Sequence, residues 1–281
     1  MTTDMPLWHA ILLGILEGFT EFLPISSTGH LTIAEKVLGY QIDDPGVTAF
    51  TAIIQVGAVL ATLIYLRKDI VRVLGAWFRG LANKDKRGND YRFGWAVILG
   101  CIPIAVIGLA FKDQIETTLR SLWWVGGMLL GFSFVMWFAD SRATQTRHEK
   151  DITWRDTLVI GVVQCLSLIP GVSRSGATMS AGLLRGLDRV AVTRLSFFLS
   201  IPALTAATIL QVASKYDEIS GGVGWTATIV ATVVSFVVAY FTVDWLLKFI
   251  ARHTYSVFIL YRIILGAVVL LLLSLNVISA T

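Results

Sequence analysis

Six stretches of the chain are apolar for long enough to cross a bilayer. A spanning helix needs about 20 apolar residues, because it rises about 1.5 Å per residue through a hydrocarbon core about 30 Å thick. Scanning with a window of about 19 residues predicts six such helices: Val47–Leu66, Phe93–Phe111, Leu122–Ala139, Leu195–Ala213, Trp225–Val243 and Phe258–Ile278. The sequence therefore predicts an all-α polytopic membrane protein, with residues 1–281 forming a single integral membrane domain.

Two further apolar segments are interrupted by polar residues and do not read as simple spans. Leu7–Leu23 contains two glutamates and continues, after a polar stretch, into the short segment Leu31–Leu38. Thr157–Ile169 is followed by the letters PGVSRSG and then by Ala177–Leu187. Each pattern predicts a re-entrant hairpin, in which two half-helices are joined by a polar tip. Such a tip is tolerated at membrane depth where protein or a wet cavity surrounds it.

An internal repeat relates the two hairpins. A shift of 147 residues aligns their polar positions: Glu17 with Gln164, Ser26 with Ser173, Thr28 with Ser175 and Gly29 with Gly176. Three spans follow each hairpin, and this odd number gives the two copies opposite orientations in the bilayer. The sequence therefore predicts an inverted-topology repeat, with repeat one at about 7–139 and repeat two at about 154–278. Inverted repeats usually place a binding site near the membrane midplane.

Composition and charge indicate that the chain lies in a membrane and predict its orientation there. Hydrophobic residues make up 55% and charged residues 15% of the 281 positions, whereas soluble domains carry about 25% charge. The connections 67–92, 140–156, 185–194 and 244–257 hold 17 Lys and Arg residues, and the opposite connections hold 4. The positive-inside rule places the connections with the 17 basic residues in the cytoplasm and the first hairpin on the outer side. This topology explains the net charge of +4 without nucleic acid as a partner.

Both hairpin tips carry residues that suit an anion. The candidates are Ser26, Ser27, Thr28 and Gly29 in the first tip and Ser173, Arg174, Ser175 and Gly176 in the second. The returning half-helix begins at each tip, so its free N–H groups and positive dipole end point to the membrane centre. The hydroxyls can cap these helices, the glycines allow close backbone approach, and Arg174 offers a forked donor that matches phosphate oxygens.

Two carboxylates and a histidine complete the candidate chemistry. Glu17 and Glu21 lie one helical turn apart and share a helix face. They would repel an anion unless a divalent cation intervenes, and Mg²⁺ typically binds through one or two carboxylates plus substrate phosphates. The sequence therefore predicts a metal site at Glu17 and Glu21, for Mg²⁺ or alternatively Ca²⁺. Ser27 could attack phosphorus with His30 as proton donor or base, or the same groups could position a water.

Structural and transport roles compete with this interpretation. Thr20 and Ser167 are interpreted as residues that pack between apolar helices or hydrogen-bond back to their own helix, and Gln55 could reach either the tip or a neighbouring helix. An intramembrane glutamate can also relay protons, and inverted repeats are the architecture of alternating access. A transporter or lipid flippase is therefore the alternative function, whereas a structural scaffold would leave the buried charges without a purpose.

The two tip motifs resemble those of a known family. EGFTEFLPISSTGH and PGVSRSGAT resemble motifs of the undecaprenyl-diphosphatase family, the bacitracin-resistance type of membrane phosphatase. The resemblance to this family extends over essentially the whole chain. The resemblance implies metal-dependent hydrolysis of undecaprenyl diphosphate to the monophosphate at the outer face of the bacterial plasma membrane. This reaction recycles the carrier lipid for peptidoglycan synthesis. The expected partners are a prenyl diphosphate lipid and the bilayer, and a homodimer is left open.

The motifs also carry residue roles to this chain. The catalytic roles fall on Glu17, Glu21, Ser27, His30 and Arg174. The substrate-binding roles fall on Ser26, Thr28, Gly29, Ser173, Ser175 and Gly176. The family's inverted repeats and re-entrant helices agree with the architecture expected from the spans and the charges.

Overall fold

The computed structural model describes residues 5–111, 114–115 and 121–280, with the side chains of 211 and 214–221 excepted. These residues form α-helices joined by turns and short 3-10 segments. In chain order the helices are α1 (Leu7–Thr20), α2 (Ser27–Val37), α3 (Pro45–Tyr65), α4 (Arg67–Ala82), α5 (Asn89–Ala110), α6 (Leu122–Ser141), α7 (Trp154–Gln164), α8 (Arg174–Leu184), α9 (Arg189–Gly221), α10 (Trp225–Ile250) and α11 (Ser256–Ser274).

Six of these helices are long and apolar enough to cross a membrane: α3, α5, α6, α9, α10 and α11. They coincide with the six predicted spans, so the prediction of an all-α polytopic protein is confirmed. The largest difference is in α9, which begins at Arg189 and continues to Gly221, beyond both ends of the predicted span. Its first turns are helical but too rich in arginine for a hydropathy window to include them.

The connection 67–92 contains a helix that the span pattern did not predict. Four apolar residues of α4 recur every three or four positions and remain exposed: Val71, Leu74, Phe78 and Leu81. Five charged residues, at 67, 68, 69, 72 and 79, lower the mean hydropathy of the segment. An amphipathic helix of this kind is typical of one that lies along the membrane interface.

Two pairs of short helices, α1 with α2 and α7 with α8, occupy the segments predicted as hairpins. Their returning helices begin alike, because the N-caps Ser26 and Ser173 have φ values of 75° and 77°. Each cap hydroxyl accepts a hydrogen bond from a backbone N–H, that of Gly29 at 3.2 Å or that of Gly176 at 3.1 Å. A positive φ is uncommon outside glycine, so its recurrence 147 residues later supports the repeat. The repeat boundaries and the re-entrant position in a bilayer stay predictions.

The two halves of the chain pack against each other through equivalent helices. α1 packs on α10, and α7, its counterpart under the same shift, packs on α5. A Cβ on Gly14 would lie 2.5 Å from the carbonyl oxygen of Ala231. A Cβ on Gly161 would lie 2.1 Å from the carbonyl oxygen of Gly100. Glycine is therefore needed at both crossings, where the backbones approach closely, as small residues allow in membrane helices.

The four basic connections meet at one end of the molecule, which we call the basic face (67–92, 140–156, 185–194 and 244–257). The bonds that join them run from Arg194 to Asp69 and Glu149, from Arg189 to Asp140, and from the backbone N–H of Tyr255 to Asp140. The connections that the charge count grouped together are thus neighbours in space. The side of the membrane that this face occupies stays a prediction.

Candidate active site

The tips of the two short helix pairs are in direct contact. Arg174 Nη2 donates to Glu21 Oε1 at 2.9 Å, and the Ser27 hydroxyl donates to the other oxygen of Glu21. Ser175 Oγ donates to the carbonyl oxygen of Leu23 at 2.8 Å. The first residues of α2 and α8 therefore converge on one carboxylate at the end of α1.

A cavity of about 510 Å³ opens beside this contact. Its polar lining residues are Glu21, Ser26, Ser27, Thr28, Gln55, Ser167, Ser173 and Arg174. Its apolar lining comes mainly from α5 and α9, including Ile104, Ala105, Leu109, Pro202, Leu204 and Leu210. Ligand sites are typically apolar clefts of about 300–1,000 Å³ with a few convergent polar groups. The lining therefore suits a ligand with an anionic head and a hydrocarbon chain.

Arg174 keeps donors free at this cavity. Its Nη2 bonds Glu21, but its Nε and Nη1 are buried and have no hydrogen-bond partner among the described residues. A buried donor left unpaired costs about 1–3 kcal/mol. An anion in the cavity would supply the missing acceptors, and the planar guanidinium fork matches the spacing of phosphate oxygens.

Glu17 and Glu21 share a helix face but have different surroundings. Glu21 accepts hydrogen bonds from Arg174 and Ser27. Glu17 is fully buried, does not line the cavity, and has no hydrogen-bond partner for either oxygen within the described ranges. A buried carboxylate without partners is costly, and a cation would compensate it. The described residues hold no group of three or more His, Cys, Asp or Glu side chains that could bind a metal alone.

His30, which was predicted as a proton donor or base for Ser27, does not line the cavity and hydrogen-bonds Ser26 and Tyr261. Its Nδ1 donates to the carbonyl oxygen of Ser26 at 2.7 Å, and its Nε2 lies 2.7 Å from the hydroxyl of Tyr261, whose ring stacks on the imidazole. Because a carbonyl only accepts, Nδ1 carries a proton, and in the neutral form of the ring Nε2 accepts from the Tyr261 hydroxyl. Glu21, rather than His30, contacts Ser27, since the turn after α1 folds Glu21 back onto the start of α2.

The predicted substrate-binding residues divide into two groups. Three line the cavity: Ser26, Thr28 and Ser173. Three do not: Gly29, Ser175 and Gly176. A Cβ on Gly29 would lie 3.3 Å from the Val125 side chain, and a Cβ on Gly176 would lie 3.2 Å from the sulfur of Met136. These two glycines therefore allow the tips to pack against α6.

Arg262 of α11 is a site residue that the sequence analysis missed. Its side chain is 0% exposed and donates to the carbonyl oxygens of Pro24, at 3.3 Å, and Gly171, at 2.9 Å. It also donates to two residues of α6. Arg262 thus bridges one carbonyl from each tip. A lone arginine inside an apolar span could have identified it from the sequence, because an ionisable residue at membrane depth needs polar partners.

Comparison with known proteins identifies the family. The family model for "Bacitracin resistance protein BacA" matches residues 10–268. The chain is 69% identical over 278 residues to Undecaprenyl-diphosphatase 3 of Frankia casuarinae, which covers 99% of this chain and 100% of that protein. It is 53% identical over 280 residues to the Undecaprenyl-diphosphatase of Cutibacterium acnes, covering 97% and 99% of the two chains. For Undecaprenyl-diphosphatase 1 of Streptomyces avermitilis the identity is 51% over 273 residues, covering 96% and 98%. On this evidence the chain belongs to the bacitracin resistance protein BacA family.

Proposed function

We infer that the protein hydrolyses undecaprenyl diphosphate to undecaprenyl phosphate and inorganic phosphate where the two tips meet. The relatives at up to 69% identity are named for this activity. The single observation that carries the site assignment is Arg174, whose buried Nε and Nη1 have no hydrogen-bond partner in the described part of the chain and lie next to the Ser27–Glu21 hydrogen bond. The apolar wall of the cavity accommodates the prenyl chain. The reaction recycles a carrier lipid for cell-wall synthesis and accounts for bacitracin resistance.

The contacts at the tips support a division of labour among three residues. Arg174 binds the terminal phosphate and stabilises the charge that develops on its oxygens. Glu21 accepts the proton of the Ser27 hydroxyl that already donates to it. Ser27 Oγ then forms a bond to the terminal phosphorus as the bond to the bridging oxygen of the prenyl phosphate breaks, and a water subsequently hydrolyses the phosphoserine to inorganic phosphate. Alternatively, Ser27 orients a water that displaces the prenyl phosphate from that phosphorus directly. His30 positions the start of α2 through Ser26 and Tyr261.

Glu17 and Glu21 are the residues that we propose to hold a divalent cation, Mg²⁺ or alternatively Ca²⁺. The buried carboxylate of Glu17, which has no hydrogen-bond partner in the described ranges, fits such an ion. Two carboxylates supply too few ligands alone. Mg²⁺ is typically coordinated by one or two carboxylates together with substrate phosphates, so the substrate would supply the remaining ligands. The ion would neutralise charge on the diphosphate. Glu21 would link the cation, Arg174 and Ser27.

An assay in detergent separates this function from the alternative, a transporter or lipid flippase, which the family comparison does not support. Purified protein is given a prenyl diphosphate and Mg²⁺ in micelles, where no second compartment exists. A diphosphatase releases inorganic phosphate under these conditions, whereas a transporter releases none. The absence of release over a wide range of substrate and metal concentrations would overturn the proposal.

We expect Arg262→Lys to lower kcat about 10- to 100-fold, on the scale of an angstrom-sized misplacement of reacting groups. A lysine keeps the charge, but one ammonium cannot span carbonyls from both tips. The assay is phosphate release, with KM and the detergent melting temperature measured in parallel. Arg252→Lys, at an exposed position beyond α10, is the matched control. An unchanged kcat for Arg262→Lys in folded protein would show that the bridge between the tips is dispensable.

We propose that the cavity opens toward the outer side of the plasma membrane. α5 and α9 both begin at the basic face, and the cavity lining includes Leu109 and Leu210 toward their far ends, together with Ile115 beyond α5. The cavity therefore extends away from the basic face. The positive-inside rule assigns that face to the cytoplasm, so the cavity would meet the outer leaflet.

Labelling of single cysteines tests this orientation. Cys101 and Cys165 are first replaced by alanine, and a cysteine is then placed at Asp43 or at Asn83, both of which are exposed. An impermeant thiol reagent added to intact cells is expected to label Asp43→Cys. Asn83→Cys, on the basic face, should react only after the membrane is permeabilised. The reverse pattern would show that the active site faces the cytoplasm.

A further inference from the structure

A second cavity lies on the basic face, apart from the hairpin tips. Its volume is about 1390 Å³, and it lies between the start of α5, the connection before α7 and the first turn of α7. It shares no lining residue with the candidate active site. Six basic side chains line it: Arg72, Arg92, Arg147, Lys150, Arg155 and Arg185. Three acidic residues also line it, so positive charge is in excess.

Three of the six basic side chains are already paired with carboxylates: Arg72, Arg147 and Arg185. Arg147 and Arg185 both bond the buried carboxylate of Asp156, at 2.6 and 2.9 Å. Burial acts to raise the pKa of Asp156, but hydrogen bonds from Arg147, Thr153 and Arg185 hold it well below its ordinary value. This carboxylate is therefore ionised at neutral pH and keeps both arginines in place.

Arg72 accounts for two of the acidic lining residues. It lies 3.5 Å from Asp90 and 3.8 Å from Glu149. The third, Asp151, accepts a hydrogen bond from the backbone N–H of His148 at 2.9 Å. The acidic residues of the cavity are thus engaged with groups other than the remaining three basic side chains.

The remaining three, Arg92, Lys150 and Arg155, are exposed at the cavity and pair with no carboxylate of the described ranges. The Arg155 guanidinium lies over the Trp154 ring, 5.4 Å from its centroid. A cluster of cations that repel one another is stabilised when an anion binds among them. These three side chains therefore give the cavity a positive charge that suits a phosphate-bearing group.

The surroundings favour a lipid over a free anion. Trp95 and Trp154 line the cavity and are 37% and 51% exposed, as is typical of tryptophans at the interface of a membrane. Beyond the cavity, α5 and α7 expose an apolar surface formed by Ile98, Ile102, Leu158 and Val162. A headgroup in the cavity would have its acyl chains along this surface.

We propose that the basic-face cavity binds the headgroup of an anionic glycerophospholipid, whose phosphate contacts Arg92, Lys150 and Arg155. Basic pockets between membrane helices are a recurrent means of binding anionic headgroups. The acyl chains pack on the exposed surface of α5 and α7, so the lipid joins the second span of the first half to the first short helix of the second half. This site is separate from the active site and does not depend on the proposed function.

Native mass spectrometry of the full-length protein in neutral detergent tests the proposal. Phosphatidylglycerol and phosphatidylcholine with identical acyl chains are titrated, and we expect tighter binding of phosphatidylglycerol. The triple variant Arg92→Gln, Lys150→Gln, Arg155→Gln should weaken phosphatidylglycerol binding on the order of 100-fold, from about fivefold per basic residue near an anionic surface. The control triple Lys84→Gln, Lys86→Gln, Arg252→Gln removes the same charge from exposed positions outside the cavity and should bind normally.

Three results would overturn the proposal. One is undiminished phosphatidylglycerol binding by the cavity variant, and another is an equal loss in the control triple, which would indicate a general charge effect. The third is displacement of the lipid by inorganic phosphate at a concentration similar to that of the lipid, which would make the site one for a free anion. Melting temperatures of both triples, compared with the parent protein, check that the exposed substitutions leave the fold intact.

Discussion

Replacing Arg174 by lysine is expected to lower kcat about 100-fold or more, the scale on which loss of one oxyanion donor acts. Lysine keeps the positive charge, but a point ammonium cannot hold Glu21 and donate twice to a phosphate. The guanidinium can do both, because Nη2 bonds Glu21 while Nε and Nη1 have no partner among the residues that the structure describes. Since these donors meet charge that grows in the transition state, the loss should fall on kcat more than on KM.

The measurement is steady-state phosphate release by purified Arg174→Lys in detergent. Arg252→Lys makes the same chemical change at an exposed position beyond α10 and should retain the parental rate. A rate close to that of the parent protein for Arg174→Lys would remove this residue from the active site. It would also leave its unpaired nitrogens without a functional explanation.

Glu21→Gln should lower kcat by about 10²- to 10⁴-fold, the usual range for loss of a general base. An amide can still accept the hydrogen bond of Ser27, but it cannot take the proton. It is also a poorer ligand for a divalent cation than a carboxylate, so the Mg²⁺ concentration needed for half-maximal activity should rise. Both effects follow from the position of Glu21 between Ser27 and Arg174.

Titrations of Mg²⁺ for the parent protein, Glu21→Gln and Glu17→Gln separate these two roles. Glu17 contacts neither Ser27 nor the cavity, so Glu17→Gln should raise the metal requirement and retain more of the rate at saturating Mg²⁺. Asp43→Asn, at an exposed position, is the control for loss of a carboxylate. Activity that is insensitive to chelators in the parent protein would rule out the cation and leave the two glutamates as acid and base groups only.

The spans and the tips were predictable because each depends on local sequence. An apolar run of about 20 residues has few alternatives to a membrane helix, and all six runs form helices that are long and apolar enough to cross a membrane. Ser26 and Ser173 were expected to cap helices, and both do. Thr20 was expected to bond within its own helix, and its hydroxyl donates to the carbonyl oxygen of Leu16 at 2.7 Å.

The contacts that assemble the site depend on tertiary structure and could not be predicted in the same way. Glu21 meets Arg174 across 153 positions, and His30 meets Tyr261 across 231. No spacing rule relates such pairs, so the sequence suggested His30 as a proton donor or base for Ser27 but did not indicate that Glu21 accepts the Ser27 hydrogen bond. α4 was not predicted for a different reason. Its apolar residues recur with helical spacing, and averaging hydropathy over a window hides this periodicity.

Product analysis with undecaprenyl diphosphate tests the central claim most directly, namely that residues of both tips cleave the phosphoanhydride bond. Purified protein in detergent is incubated with the lipid and Mg²⁺, and the phosphorus products are quantified by ³¹P NMR. We expect equal amounts of inorganic phosphate and undecaprenyl phosphate. Arg174→Lys should form them at least about 100 times more slowly than the parent protein, and Arg252→Lys should form them at the parental rate. Release of intact pyrophosphate, absence of any product, or equal rates for Arg174→Lys and the parent protein would contradict the central claim.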